Sequence, residues 1–182
     1  MGHAKQGLIH VYTGDGKGKT TAALGLAFRA AGHGMRTFFC QFMKGQDYGE
    51  LRAPAMLAGH LTMAQYGRSS FIHVSADGQH STATAEDVRL AQEGLAAARR
   101  AMLSGEYDIV VLDEISMALF FKLLAVQDVL SLLDNKPPQV ELVLTGRRVP
   151  PEILARADYA TEMHEVEHPY RRGIQARPGI EF

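Results

Sequence analysis

The sequence predicts an α/β fold in which a mostly parallel sheet is covered by helices on both of its faces. The first observation is that short runs rich in β-branched and aromatic residues alternate with segments of helical periodicity. The second is that these runs are almost continuously apolar, as strands are when both faces of their sheet are buried. Because parallel sheets bind ligands at the carboxyl ends of their strands, we expect functional residues in the loops that follow the strands.

Five runs are predicted to be strands because of their length and composition. In chain order they are LIHVYT at 8–13, TFFCQF at 37–42, LTMAQY at 61–66, DIVVLDE at 108–114 and VELVLT at 140–145.

Helices are predicted between these strands, over 19–31, over Ala85–Ser104 and, after the fourth strand, over SMALFFKLL at 116–124. The second is the clearest, because Thr84 and Asp87 have the spacing of a capping box at its start. Its apolar face consists of Val88, Ala91, Leu95, Ala98 and Met102. A long irregular stretch, Gly67 to Thr84, lies between the third predicted strand and this helix. Loops of this length in a compact domain are usually functional or mobile.

The composition favours one domain over residues 1–182 that binds a small partner. The 19 basic and 20 acidic residues nearly cancel, and like charges do not cluster, which argues against a nucleic-acid partner. There is no apolar signal segment and no stretch as long as a membrane span, so we expect no membrane partner and a cytoplasmic location. The single cysteine, Cys40, lies in an apolar run and is predicted to be a buried thiol.

The stretch TGDGKGKTTAALGLAFRAAGHG, residues 13–34, has the order of a phosphate-binding loop that runs into a helix. Its glycines would let backbone N–H groups close around phosphate oxygens, and the helix N-terminus favours an anion. Lys19 is placed to reach the terminal phosphates, and the Thr20 hydroxyl is placed to bind Mg²⁺. Thr13 stands where the usual pattern begins with glycine, which indicates a subfamily with its own phosphate geometry. The alternative is a glycine-rich turn that only caps a helix.

The fourth predicted strand ends in two acids, Asp113 and Glu114. Four apolar residues precede them, the form of a strand that delivers a carboxylate to the metal on a bound nucleotide. Alternatively, the two acids only cap the following helix. The phosphate loop favours the metal-binding interpretation.

The segment HEVEH, residues 164–168, matches the spacing of a zinc-protease motif, in which two histidines one helical turn apart bind zinc. That chemistry requires a helix, but Pro169 disfavours the helical conformation at His168 and no apolar helical face surrounds the motif. We therefore expect an extended strand or loop with solvent-facing polar residues, and no zinc.

Taken together, seven segments resemble the P-loop type of ATP:corrinoid adenosyltransferase. Besides residues 13–34 they are QFMKG, VLDEI, LTGR, ADYATEM, HPY and the closing GIQARPGIEF, so the resemblance runs through nearly the whole chain. It implies a homodimer with a RecA-like P-loop fold. It also implies that the 5′-deoxyadenosyl group of ATP is transferred to Co(I) of a reduced corrinoid, with release of triphosphate, in adenosylcobalamin biosynthesis or salvage. The nucleophile is then cobalt, reduced by a partner such as a flavoprotein, and no protein base is needed.

The resemblance also implies roles for individual residues. The triphosphate would be held by Gly14, Asp15, Gly16, Lys17, Gly18, Lys19, Thr20 and Thr21. Thr20 would bind Mg²⁺ or Mn²⁺ together with Asp113 or Glu114. The expected catalytic residues are Lys19, Thr20 and Glu114.

Two further side chains are candidate contacts for the substrates. Arg147 in LTGR would meet a phosphate or a corrin carboxamide, and the alternative is a solvated arginine. Relatives often have a pair of aromatics after the third strand, and here Phe71 stands alone with Ile72 beside it. The resemblance implies that Phe71 fills the lower face of the corrin and keeps its nitrogenous ligand off cobalt, and the alternative is that it anchors its loop to the domain. Some longer relatives carry an N-terminal extension thought to close over the corrinoid. Because only six residues precede Gly7, we expect another element to close the site.

Two other functional classes share a phosphate loop. A nucleoside kinase or other ATPase would cleave at the γ-phosphate, so its product would be ADP rather than triphosphate. A non-enzymatic nucleotide switch or a DNA motor would show a γ-phosphate-sensing loop or a basic stripe, and the balanced charge argues against the motor.

Overall fold

The computed structural model describes residues 6–70, 72–73 and 82–182, which alternate between strands and helices. The strands are β1 (Ile9–Thr13), β2 (Thr37–Phe42), β3 (Leu61–Tyr66), β4 (Ile109–Asp113), β5 (Glu141–Thr145) and β6 (Tyr159–Glu162). The α-helices are α1 (Lys19–Ala31), α2 (Ala53–Met56), α3 (Ala85–Leu103), α4 (Ile115–Phe120), α5 (Val126–Asp134) and α6 (Pro151–Leu154). Two short 3₁₀ turns lie at Gly49–Arg52 and Pro169–Arg172.

Across the described ranges the six strands form one sheet in the order β3-β2-β4-β5-β1-β6, and every neighbouring pair is parallel. The predicted α/β class with a parallel sheet is therefore confirmed. Because all strands run the same way, their carboxyl ends meet at one edge of the sheet. Thr13, Asp113 and Thr145 are the last residues of β1, β4 and β5, and β5 lies between the other two strands.

Alternate side chains of each central strand point to opposite faces of the sheet, so both faces carry apolar side chains. Helices cover both faces. One cluster joins α1 to the sheet through Ala23, Ala27, Ala30, Phe39, Ile109, Val111 and Val143. The other joins α3, α4 and α5 to it through Cys40, Ala98, Met102, Val110, Leu112, Ala118, Leu132, Leu142 and Leu144. Cys40 is fully buried, as predicted. In the described part of the chain, no helix has the length and apolar character needed to cross a membrane.

Two elements differ from the predictions. Strand β6 was not among the five predicted strands, since its residues are exposed and carry no apolar run. It exists because it pairs in parallel with β1, which is a tertiary contact. The predicted helix over 116–124 instead begins at Ile115 and ends at Phe120. The chain turns at Lys122, which has a φ of 58°, and this turn buries Leu123 and Leu124.

The predicted capping box of α3 is confirmed. The Asp87 carboxylate accepts from the backbone N–H and the hydroxyl of Thr84, at 2.8 and 2.7 Å. The same carboxylate receives two hydrogen bonds of 2.7 Å from the Arg68 guanidinium, in the bidentate geometry that is strongest for this pair. Asp87 therefore joins the end of β3 to the start of α3. Burial by itself raises the pKa of this carboxyl, but Arg68 and Thr84 more than offset it and hold the pKa below its usual value.

Replacing Asp87 with asparagine should lower the free energy of unfolding by about 2 kcal/mol at neutral pH, because hydrogen bonds to a charged group are lost. A carboxyl with a depressed folded pKa stabilises the protein above its unfolded pKa, about 3.9, and this stability disappears as the pH falls through the lower folded pKa. Urea unfolding at pH 7 and near pH 3 measures both effects, and the difference between the two proteins should shrink at the lower pH.

Asp47→Asn is the matched control, because Asp47 pairs with Arg52 but both side chains are largely exposed. It should cost no more than about 1 kcal/mol. A penalty for Asp87→Asn that did not change with pH would contradict the assigned role of the charge.

Candidate active site

The predicted phosphate-binding loop connects β1 to α1 and lies at the carboxyl edge of the sheet. Gly18 has a φ of 119° and caps the helix without a side-chain hydrogen bond, so the first N–H groups of α1 are left for an anion. The loop packs closely against the end of β6, because Gly16 donates to the Met163 carbonyl at 2.7 Å. An added Cβ at Gly16 would lie 2.7 Å from that same carbonyl oxygen, so this position requires glycine.

Thr13, where the usual pattern has glycine, is the last residue of β1 and pairs with Glu162. Its backbone is extended, and its carbonyl accepts from the Met163 N–H at 2.8 Å. A β-branched residue suits this conformation, and glycine is needed only from Gly14 onward, where φ reaches 94°. The departure from the usual pattern therefore falls on an extended strand residue, where glycine is not needed.

Lys19 is the first residue of α1, and its side chain turns back over the loop. Its ammonium donates to the carbonyls of Gly14 and Gly16, each at 2.7 Å, and the residue is only 7% exposed. Burial is the main influence on its pKa and lowers it, while the Glu114 carboxylate offsets part of this effect. The cation is thus held at the loop, within reach of a phosphate that enters it.

Asp113, at the end of β4, is fully buried and receives hydrogen bonds on both of its oxygens. Its Oδ1 accepts from the hydroxyls of Thr20 at 2.8 Å and Thr145 at 2.7 Å. Its Oδ2 accepts from the Lys44 ammonium at 2.9 Å and from the Gln41 amide at 3.3 Å. These four donors satisfy both oxygens of the buried carboxylate and fix its position.

Thr20 and Asp113 together offer the oxygen ligands that a hard divalent cation prefers. The hydroxyl and the carboxylate are in contact at 2.8 Å, and each belongs to a rigid element. The donor set therefore fits Mg²⁺ or Mn²⁺, and phosphate oxygens and water would supply the remaining ligands.

Glu114 follows Asp113 in the chain but has an unusual backbone conformation and a carboxyl with a shifted pKa. Its φ of 61° is uncommon for a residue with a side chain, and its backbone N–H donates to the Thr145 hydroxyl at 3.0 Å. Burial, and then the neighbouring Asp113 charge, raise the pKa of its carboxyl. With this backbone conformation the Glu114 side chain lines the cavity. The fully buried Asp113 lies behind the residues that line it.

These residues surround a cavity of about 520 Å³, a size suited to a nucleotide. Nine of the residues predicted from the sequence line it, namely Asp15, Gly16, Lys17, Gly18, Lys19, Thr20, Thr21, Glu114 and Arg147. Gly14 and Asp113 lie directly behind it and bond to Lys19 and Thr20. The Arg147 side chain is half-exposed, with its Nε 3.9 Å from the Asp15 carboxylate. Phe71, the predicted corrin contact, lies outside the described residues.

Several residues of the cavity were missed at the sequence level. Lys44 and Glu50 line it from the loop after β2, and His168 and the segment 179–182 line it from the end of the chain. The signal for Lys44 was its position just after a strand, in the QFMKG segment. Glu50 had no local signal. The closing segment belongs to GIQARPGIEF, which carries part of the family resemblance, but only the folding of distant parts of the chain brings it to the loop.

The HEVEH segment is not helical, so its two histidines do not share a helix face. It follows β6 as irregular chain, and His168 has an extended backbone with a φ of −136°, as expected before a proline. The His164 side chain is 76% exposed and lies 3.7 Å from Glu162. No group of three or more potential metal ligands occurs among the residues that the structure describes.

Replacing His164 with alanine should leave activity within about twofold of the parent, because surface substitutions rarely change the fold or the site. Elemental analysis of the purified parent should find no stoichiometric zinc. One zinc per chain that disappears in His164→Ala would show that the extended segment binds metal after all.

Solved structures support the fold. One of them is described as an ATP synthase subunit NeqB from Nanoarcheaum equitans, with a TM-score of 0.55 and 10% identity. The match covers 94% of this chain and 50% of that one, so this chain spans about half the length of its structural neighbour. At this identity the likeness concerns the fold alone.

Comparison with protein families gives a more specific result. A family model described as ATP:corrinoid adenosyltransferase BtuR/CobO/CobP matches residues 5–182. A corrinoid adenosyltransferase of Sinorhizobium sp is 34% identical over 98% of this chain and 81% of its own length. One from Escherichia coli (strain K12) is 33% identical over 98% of this chain and 87% of its own length. The resemblance seen in the sequence is thereby confirmed, and the chain belongs to the ATP:corrinoid adenosyltransferase family.

Proposed function

We propose that this protein transfers the 5′-deoxyadenosyl group of ATP to the Co(I) centre of a reduced corrinoid and releases inorganic triphosphate. The electron pair of Co(I) forms the new bond to the 5′ carbon, and cobalt becomes formally Co(III). The bond between the 5′ carbon and its phosphate oxygen breaks, and its electron pair leaves with the triphosphate. No proton moves in this step, so the reaction requires no side chain that acts as a base.

One observation carries the proposal: Lys19 and Thr20 line one cavity on the carboxyl edge of the sheet, and Asp113 bonds to Thr20 from directly behind it. Lys19 and the free N–H groups of α1 present positive charge to a polyphosphate. In the proposed reaction the leaving group is the whole triphosphate, so these groups stabilise the charge that develops as the bond to carbon breaks. Their second task is to hold ATP so that its 5′ carbon lines up with cobalt.

The proposed reaction also uses a divalent metal ion bound to the triphosphate. Mg²⁺ or Mn²⁺ would neutralise charge on the triphosphate, and Thr20 with Asp113 or Glu114 would hold it. Thr145 supports the pair because its hydroxyl donates to the Asp113 carboxylate and fixes its orientation. Arg147 stands at the cavity wall, where its guanidinium would meet a phosphate oxygen or a corrin carboxamide.

We also propose three features of the setting that follow from family resemblance alone. The protein acts in the cytoplasm, it forms a homodimer, and a reducing partner such as a flavoprotein supplies the electron that converts Co(II) to Co(I).

The test is an anaerobic assay with purified protein, ATP, MgCl₂ and chemically reduced cobalamin. We expect light-labile adenosylcobalamin and triphosphate in equal amounts. The same mixture with unreduced Co(III) cobalamin is the control and should give neither product. ADP in place of triphosphate would overturn the proposal in favour of a kinase or other ATPase.

A further inference from the structure

Lys44, a partly buried lysine next to Thr20 and Asp113, has two carboxylate partners. The Lys44 ammonium lies 2.9 Å from Asp113 Oδ2 and 3.7 Å from Glu50 Oε1, and its side chain is 15% exposed. It also lies 5.0 Å from the centre of the Tyr48 ring, a distance at which a cation is attracted to an aromatic face. Lys44 and Glu50 both line the cavity. The ammonium can therefore move between two anions by a small change of side-chain torsions.

Glu50 is held in place independently of Lys44. Its Oε1 accepts a hydrogen bond of 3.0 Å from the Gln41 amide, and its side chain is 14% exposed. The Gln41 carbonyl in turn accepts from the Gln65 amide at 3.1 Å. Because Gln41 and Gln65 belong to the paired strands β2 and β3, the sheet itself positions this second carboxylate.

The charges around Asp113 explain why it matters that Lys44 has two carboxylate partners. In the metal-free protein, the Lys44 ammonium lies 2.9 Å from the buried Asp113 carboxylate, and a buried charge without a partner is costly. A divalent cation bound by Thr20 and Asp113 would face the Lys44 ammonium at close range in a site of low dielectric, where like charges repel strongly. If the ammonium moves onto Glu50, it leaves Asp113 to the cation and is still paired.

We propose that the Lys44 ammonium pairs with Asp113 in the metal-free protein and moves to Glu50 when the metal-bound nucleotide enters. Glu50 therefore determines how tightly the site binds the metal. The inference rests on the proposed function only in taking Thr20 and Asp113 as metal ligands. Lys44 and Glu50 are positioning residues in this scheme, since both act through Asp113.

The experiment measures Mn²⁺ binding to the ATP-bound protein without corrinoid, by electron paramagnetic resonance of free Mn²⁺. In Glu50→Gln the ammonium should stay on Asp113, and Mn²⁺ affinity should fall by roughly 10-fold or more, as for other groups that support metal ligands. In Lys44→Met the competing charge is gone, so the affinity should be at least that of the parent. Most tellingly, adding Glu50→Gln to Lys44→Met should have a much smaller effect than in the parent, because Glu50 then reaches Asp113 only through the Gln41 amide, which bonds to both carboxylates.

Matched controls are Lys122→Met and Glu106→Gln, which remove one charge each at exposed positions away from the cavity. Both should bind Mn²⁺ like the parent. Lys44→Arg keeps the charge and should keep the sensitivity to Glu50→Gln, which preserves the test if Lys44→Met does not fold. Thermal unfolding without metal checks the fold of every variant.

Unchanged Mn²⁺ affinity in Glu50→Gln would overturn the inference. So would equal losses from Glu50→Gln in the parent and in Lys44→Met, since Glu50 would then act on the metal directly. Neither result depends on adenosyl transfer. Failure of the inference is therefore distinguishable from failure of the proposed function, which only the products of the cobalamin assay can reveal.

Discussion

Replacing Lys19 with alanine is expected to slow adenosyl transfer by about 100-fold or more, because the leaving triphosphate loses a buried cation. The Lys19 ammonium already lies at the loop, 2.7 Å from the carbonyls of Gly14 and Gly16, so it needs little rearrangement to meet a phosphate. A 100-fold loss corresponds to about 2.7 kcal/mol of transition-state stabilisation. The measurement is kcat and kcat/KM for adenosylcobalamin formation at saturating MgATP.

The fold should survive this substitution, and thermal unfolding of Lys19→Ala tests that expectation. Lys122→Ala serves as the matched control, since it removes an exposed lysine outside the cavity. Parental activity in Lys19→Ala at saturating MgATP would show that residues 14–21 are not the triphosphate site.

Replacing Asp113 with asparagine is expected to lower adenosyl transfer by about 100-fold or more, because the amide binds a hard cation poorly. It should also lower the free energy of unfolding by about 3 kcal/mol, because the Lys44 ammonium is left buried without its closest anion. Activity against Mg²⁺ concentration and urea unfolding measure the two effects separately.

A double variant separates the structural role of Asp113 from its role in the site. Lys44→Met combined with Asp113→Asn removes both buried charges, so it should regain stability without regaining activity. Glu114→Gln decides which acid serves the metal. If Asp113→Asn keeps its metal dependence and Glu114→Gln loses it, Glu114 is the ligand and Asp113 is only part of the supporting network.

Features that depend on neighbouring residues in the chain were the ones that could be predicted. The capping box of α3 needs only Thr84 and Asp87 three positions apart, and it is present as expected. The five apolar runs became strands within one residue of their predicted starts and ends. Local hydrophobic runs and glycine spacing act over a few residues, which is why they can be interpreted without knowledge of the fold.

Features that depend on strand order could not be predicted in this way. The β6 strand has no apolar run, and it forms because its backbone pairs with β1. The Arg68 contact with Asp87 joins the end of β3 to α3, and nothing in either local pattern points to it. The role of Phe71 stays a prediction, because this residue lies outside the described part of the chain.

The sequence by itself determined the class of fold and the family, and it predicted the phosphate loop, since each depends on residues that are contiguous in the chain. Only the tertiary structure decided how the acid of β4 meets the loop after β1. Strand β5 is inserted between them, and its Thr145 hydroxyl donates to the same Asp113 oxygen as the Thr20 hydroxyl. The same packing places Lys44 between Asp113 and Glu50. The physical reason is that strand order depends on the burial of both faces of the sheet and on the geometry of the long connections between strands. No short run of residues encodes either of these.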